Sequence, residues 1–95
     1  MRKEQGNKQQ VSEDLLGLAE VAIGRDIPEK AAILLGAVGA VLNEDIHFDL
    51  PGQHALDRTT AAVRSKLGDV EYTKAYSEGY SMTIDEAVEY ALRSL

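Results

Sequence analysis

The densest group of side chains that could do chemistry lies in one polar segment near the middle of the chain. This group comprises Glu44, Asp45, His47, Asp49 and His54. Carboxylate oxygens and imidazole nitrogens bind divalent cations when several of them converge on one point. Their spacing here matches neither a calcium-binding EF-hand loop nor the HExxH pattern of zinc enzymes. We therefore interpret the segment as an exposed acidic loop, with a metal site as the alternative.

Other catalytic patterns are weaker still. The segment Gly36-Ala37-Val38-Gly39 has the small residues of a nucleotide-binding loop, but no lysine followed by serine or threonine comes after it. No serine lies in a GxSxG elbow. The acidic pairs Glu13-Asp14 and Asp85-Glu86 fall in predicted first helical turns, where helix capping and the helix dipole explain them. The sequence therefore predicts no catalytic residue, no cofactor and no enzyme activity.

The composition of the chain excludes several kinds of site and partner. A chain of 95 residues fits one small domain, and the absence of cysteine excludes thiolate zinc sites and disulfides. The net charge of -6 gives no electrostatic footprint for nucleic acid. The longest apolar run, residues 31–42, is well short of the roughly 20 residues that span a bilayer. We therefore expect a cytoplasmic protein without direct nucleic-acid or membrane partners.

The elements that must position any site are organised around residues 26–43. Asp26 can cap a helix there, and Pro28 suits its first turn. Apolar residues then recur at spacings of three and four, namely Ala31, Leu34, Leu35, Val38, Val41 and Leu42. Gly36 and Gly39 each cost about 1 kcal/mol relative to alanine inside a helix, so their presence indicates close packing of a neighbouring helix. The pattern predicts a central helix.

A first helix is predicted before the central one. Residues 1–10 are polar, which predicts a disordered leader or the edge of the expressed segment. Ser12 begins the helix, and Gly24 ends it as the C-cap. Because the following turn is short, the two helices must pack as an antiparallel hairpin.

Two further helices follow the central one. The third spans residues 53–67 and is closed by Gly68. The fourth is capped by Asp69 and ends at Gly79. It carries three tyrosines four residues apart, Tyr72, Tyr76 and Tyr80. Such a stripe is either core or the lining of a peptide groove; we interpret the first two tyrosines as core and leave both options for the third.

The fifth helix has the clearest start in the chain. Thr83 precedes Glu86 by the spacing of a capping box, and Met82 and Ala87 are placed to form a hydrophobic staple. No segment shows the strict alternation that a half-buried strand requires. The sequence therefore predicts one all-α domain over residues 11–95, made of about five helices in antiparallel hairpins and closed by a capping helix.

The chain also resembles a known family. Leu18, Ala19 and Ala22, followed by Ala31 and Leu35, are similar to a degenerate tetratricopeptide repeat (TPR). The longer pattern AAILLGAV, LPG, KLGD and MTIDEAVEYAL resembles the C-terminal end of tetratricopeptide-containing bacterial regulators. These are LuxR-family and STAND-type transcriptional regulators, with some adenylate cyclases and kinases. The resemblance implies a TPR-like right-handed array, and an interaction terminus rather than the ATPase or DNA-binding part.

These observations predict a non-enzymatic protein–protein interaction module of a regulatory protein. The first hairpin of a solenoid normally packs on a preceding repeat. Without such a repeat, apolar surface around Leu16, Val21 and Ile23 would be uncovered, with Tyr80 as a further contact. We therefore expect a protein partner or a homodimer formed through the first helix.

The alternative is a small helical regulator domain that binds DNA or senses a ligand. A helix-turn-helix needs a basic recognition helix, but the third helix offers only Arg58, Arg64 and Lys66. A ligand-sensing or metal-dependent site would need converging polar groups, for which residues 47–54 are the candidate.

Overall fold

The computed structural model of this chain describes residues 4–42 and 50–94. They form five α-helices: α1 (Glu4–Gly24), α2 (Pro28–Leu42), α3 (Leu50–Leu67), α4 (Asp69–Tyr80) and α5 (Ile84–Ser94). The described residues include no strand, and the predicted all-α class is confirmed. The TPR-like arrangement stays a prediction. Among the described helices, none combines the length and the apolarity needed to cross a bilayer.

Helix α2 is the centre of the fold. It contacts each of the other four helices, and every residue from Lys30 to Val38 is buried. Leu34 and Leu35 pack in one core cluster with Leu15 of α1 and Val63 of α3. Full burial of a side chain of this size contributes about 1.5–3 kcal/mol, so the apolar stripe of α2 is a main source of stability.

Glycines from both helices allow α2 and α4 to cross closely. A Cβ atom built on Gly36 would overlap the backbone carbonyl oxygen of Tyr76 and lie 2.9 Å from its carbonyl carbon. A Cβ atom on Gly79 would overlap the carbonyl oxygen of Ile33 and lie 2.7 Å from its carbonyl carbon. The packing role predicted for Gly36 is confirmed. The predicted end of α4 at Gly79 is one residue before the observed end at Tyr80, and Gly79 is buried at this crossing.

Helix α1 is longer than predicted. It begins at Glu4, whereas the sequence pattern placed its start at Ser12, which is buried within the helix. Residues 4–10 were predicted to belong to a disordered leader. They are rich in glutamate, glutamine and lysine, which are strong helix formers, and they extend α1 by nearly two turns.

Helix α1 ends in a Schellman motif. The backbone N–H groups of Asp26 and Ile27 donate to the carbonyl oxygens of Ile23 and Ala22, at 3.1 and 2.9 Å. Asp26 occupies the left-handed position with φ 64°. Gly24 is the last residue of α1, as predicted, but it is not the C-cap, since the chain reverses two residues later.

Gly68 alone joins α3 to α4. Its φ of 83° and ψ of 159° lie in a region that only glycine adopts readily. Gly68 takes the N-cap position of α4, so the prediction that Asp69 is the cap is wrong. Asp69 Oδ1 instead accepts a hydrogen bond from Arg64 Nη2 at 3.0 Å, and Asp26 pairs with Lys66 at 3.2 Å. Exposed pairs of this kind contribute about 0–1 kcal/mol each.

The predicted capping box begins α5. Glu86 N donates to Thr83 Oγ1 at 3.1 Å, and Thr83 N donates to Glu86 Oε1 at 3.0 Å. The two residues of α5 that are buried in the core are both alanines, Ala87 and Ala91. Small side chains let the helix lie close to the bundle, but they bury little apolar area of their own.

A lysine side chain also holds α5 to α2. Lys30 is buried, its Nζ donates to the carbonyl oxygen of Tyr90 at 3.0 Å, and it lies 4.0 Å from the centroid of the Tyr90 ring. The cation therefore lies near the C-terminal end of α5, where the helix dipole is negative. Burial lowers the pKa of Lys30, and the nearby Arg93 lowers it further.

Candidate functional site

An apolar groove runs between α1 and α5. Its floor is formed by Val11, Ile84, Val88 and Leu92, and we call it the α1–α5 groove. The apolar side chains of α5 cover a wide face of the helix. The bundle buries one edge of this face, at Ala87 and Ala91. The side chain of Leu92, on the other edge, is 72% exposed. The groove therefore offers large aliphatic side chains to a partner.

The rim of the α1–α5 groove is acidic. Asp85 and Glu89 line it from α5, four residues apart, and Gln10 lines it from α1. The amide Nε2 of Gln10 donates to Asp14 Oδ1 at 3.2 Å, which adds a carboxylate next to the α1 side. Among the described residues that line this groove, the titratable ones are all acidic. The α1–α5 groove therefore combines an aliphatic floor with a negatively charged rim.

A second concavity lies between α2, α3 and α4. We call it the tyrosine pocket; it has a volume of about 250 Å³. Its lining comes from Leu35 and Gly39 of α2, Leu56, Asp57 and Thr60 of α3, and Tyr72 and Tyr76 of α4. Three helices thus bring an apolar floor, two aromatic rings and one carboxylate to the same place.

The aromatic wall of the tyrosine pocket is part of a ladder of rings. The ring centroids of Tyr72 and Tyr76 are 5.6 Å apart, and those of Tyr76 and Tyr80 are 6.2 Å apart. Tyr72 and Tyr76 are partly buried against the core, as predicted, whereas Tyr80 is 43% exposed. Burial raises the pKa of Tyr72 and of Tyr76, and in each case the neighbouring tyrosine raises it further. Both hydroxyl groups are therefore neutral at physiological pH.

Asp57 is the charged residue among those that line the tyrosine pocket. Its Oδ1 accepts a hydrogen bond from Gln53 Nε2 at 3.1 Å, one turn earlier on α3. The side chain of Thr60 acts against the rise in the pKa of Tyr72. The guanidinium of Arg64 lies 5.5 Å from the centroid of the Tyr72 ring, within the range of a cation–π interaction.

The four residues proposed from sequence as an interaction surface differ in exposure. Leu16 is only 6% exposed, so the expectation that it is uncovered is wrong. It belongs to the buried face of α1, because the helical period places it one turn from Ser12 and one turn from Ala19, which are both buried. Val21 is 44% exposed, Ile23 is partly buried, and Tyr80 extends the ring ladder to the surface.

The possible metal ligands are only partly described. Residues 44–49 lie outside the described residues, and His54 is exposed on α3. Within residues 4–42 and 50–94, no group of three or more histidine, aspartate or glutamate side chains is placed to hold a metal ion.

Comparison of this chain with models of protein families, with curated proteins and with solved structures finds no match. The resemblance to LuxR-family and STAND-type regulators therefore stays a prediction. The shapes and the chemistry of the α1–α5 groove and the tyrosine pocket are the basis for assigning function.

Proposed function

We propose that this domain is a non-enzymatic protein-interaction module that holds a basic amphipathic helix of a partner protein in the α1–α5 groove. The observation that carries the proposal is the 72% exposure of Leu92 in a groove that also contains Ile84 and Val88. A single exposed leucine is ordinary on a protein surface, but several aliphatic residues that line one groove form a contact surface.

The shape of the groove favours a helix as its occupant. Two helices that lie side by side present a linear groove, into which a third helix can place apolar residues at positions i, i+3 or i+4, and i+7. Ile84, Val88 and Leu92 follow one another at four-residue spacing along α5, so they form a matching row of contacts.

The acidic rim favours a partner with positive charge. Asp85 and Glu89 face any helix in the groove, and the whole chain carries a charge of -6. Lysine or arginine beside the apolar stripe of the partner would be attracted, and like charges would be repelled. A second copy of this chain would bring its own acidic rim to the same place. The resemblance to C-terminal regions of bacterial regulators supports the same class of function.

A pair of designed peptides tests the proposal. One is an amphipathic helix with leucines at i, i+3, i+4 and i+7 and lysines elsewhere, and the other carries glutamates in place of the lysines. We expect fluorescence anisotropy to show binding of the basic peptide only. Leu92→Glu should weaken that binding at least about 10-fold, because a buried carboxylate would replace an aliphatic contact.

Val70→Glu is the matched control, since Val70 is 78% exposed on α4 and does not line the groove. The proposal is contradicted if Val70→Glu weakens binding as much as Leu92→Glu, or if the acidic peptide binds equally well. Light scattering after size exclusion examines the second-copy alternative. A dimer that Leu92→Glu dissociates would show that the groove holds another copy instead.

A further inference from the structure

We propose that the tyrosine pocket is a second binding site, for a small organic cation that consists of a protonated amine on an apolar or aromatic body. This site is formed by α2, α3 and α4 and is lined by none of the residues of the α1–α5 groove. The inference is therefore independent of the proposed function.

The interior of the pocket suits the apolar part of such a ligand. Its volume of about 250 Å³ is slightly below the 300–1,000 Å³ typical of ligand pockets and suits a small molecule. Leu35 and Leu56 supply aliphatic lining from α2 and α3. Gly39 lets the Tyr76 ring lie directly against α2, since a Cβ atom there would overlap the Tyr76 hydroxyl and lie 3.1 Å from the ring carbon that bears it.

The polar groups of the pocket favour a positive charge. Asp57 is the charged residue of the lining, and its hydrogen bond with Gln53 holds the carboxylate in place. The faces of neutral tyrosine rings attract cations through the ring quadrupole. The guanidinium of Arg64, which does not line the pocket, lies 5.5 Å from the centroid of the Tyr72 ring, a cation–π contact within the protein. An anionic ligand would instead meet the Asp57 carboxylate.

Titration of the folded domain with 2-phenylethylamine, followed by two-dimensional amide NMR, tests the proposal. This probe is protonated at pH 7 and carries one aromatic ring, and 2-phenylethanol is its neutral counterpart. We expect shift changes at residues of α3 and α4 that line the pocket for the amine, and at least about 10-fold weaker binding of the alcohol. Asp57→Asn should reduce the affinity for the amine to that for the alcohol.

Glu13→Gln provides the control, because it removes an exposed carboxylate of α1 that lines neither the pocket nor the α1–α5 groove. Equal affinity for amine and alcohol would overturn the assignment of a cation. An equal loss in Asp57→Asn and Glu13→Gln would show nonspecific attraction to an acidic protein, which also overturns the site. Amine binding is expected to shift amide signals of α3 and α4 and peptide binding those of α1 and α5, so failure of this site and failure of the groove are distinguishable.

Discussion

The missing side chain of Gly79 determines how closely α2 and α4 approach. In Gly79→Ala the new methyl group would meet the backbone of Ile33, with its carbonyl carbon 2.7 Å away, and a helical backbone cannot move aside as a flexible side chain can. Overpacking of a core typically costs about 1–3 kcal/mol, whereas alanine gains about 1 kcal/mol in helix propensity. We expect a net loss of up to about 2 kcal/mol in the free energy of unfolding, measured by urea denaturation.

Gly17→Ala is the matched control for this residue. Gly17 also lies inside a helix, but nothing comes within 4 Å of a Cβ atom built there. The substitution should therefore raise the free energy of unfolding by up to about 1 kcal/mol. A loss of stability in both variants, or in neither, would contradict the close crossing of α2 and α4.

Among the elements, α5 depends most on its ends, because its residues buried in the core are small. Thr83→Ala removes the hydroxyl that accepts the hydrogen bond from Glu86 N, and loss of an N-cap costs about 1 kcal/mol. We expect the free energy of unfolding to fall by about that amount in urea denaturation followed by circular dichroism. Thr83→Ser keeps the hydroxyl and should stay within a few tenths of a kcal/mol of the parent. Equal losses in the two variants would show that the capping box does not stabilise α5.

Local patterns predicted the elements, whereas their packing was harder to predict. The apolar stripe of α2 and the capping box of α5 are each encoded within a few neighbouring residues, and both are confirmed. A glycine, by contrast, can end a helix or allow a neighbouring helix to pack closely, and the local sequence does not distinguish the two. Gly24 and Gly79 were both interpreted as helix ends. Gly79 also allows close packing against Ile33 of α2, which is more than forty residues earlier in the chain. Asp26 takes the left-handed position in place of a glycine, which no local pattern predicted.

At the scale of the whole molecule, three partly buried tyrosines affect how stability changes at alkaline pH. Burial raises the pKa of Tyr72, Tyr76 and Tyr90 above the ordinary value of 10.0. The unfolded chain therefore releases these protons first, and stability falls as the pH rises from about 10 through the folded-state pKa values. Lys30 acts in the opposite direction, because burial lowers its pKa below 10.5 and favours the folded state as the pH rises.

We expect the tyrosines to lower the free energy of unfolding as the pH rises above about 10, measured by urea denaturation at each pH. Tyr76→Phe should make this fall less steep, since one raised pKa is removed. Lys30→Met should make the fall steeper, since the opposing group is gone. A pH profile that neither substitution changes would contradict this account.

The binding surfaces depend on the arrangement of the whole molecule, which explains why the sequence predicted them only in part. The capping box predicted where α5 begins, but not which of its apolar side chains the bundle would cover. Amphipathicity gives the width of an apolar face but not the part that the bundle covers, and Leu92 stays exposed. The tyrosine stripe was recognised, but Asp57 lies on a different helix and shares the pocket only because α3 and α4 pack together.

The corner between α3 and α4 consists of one residue, Gly68. Helices α3 and α4 follow one another without a flexible loop, and the Arg64–Asp69 pair spans the corner at 3.0 Å. The two walls that carry Asp57 and Tyr72 are therefore held in position before any ligand arrives. A molecule that enters between them loses its own freedom of motion but orders little of the protein, so even a few contacts can give measurable affinity.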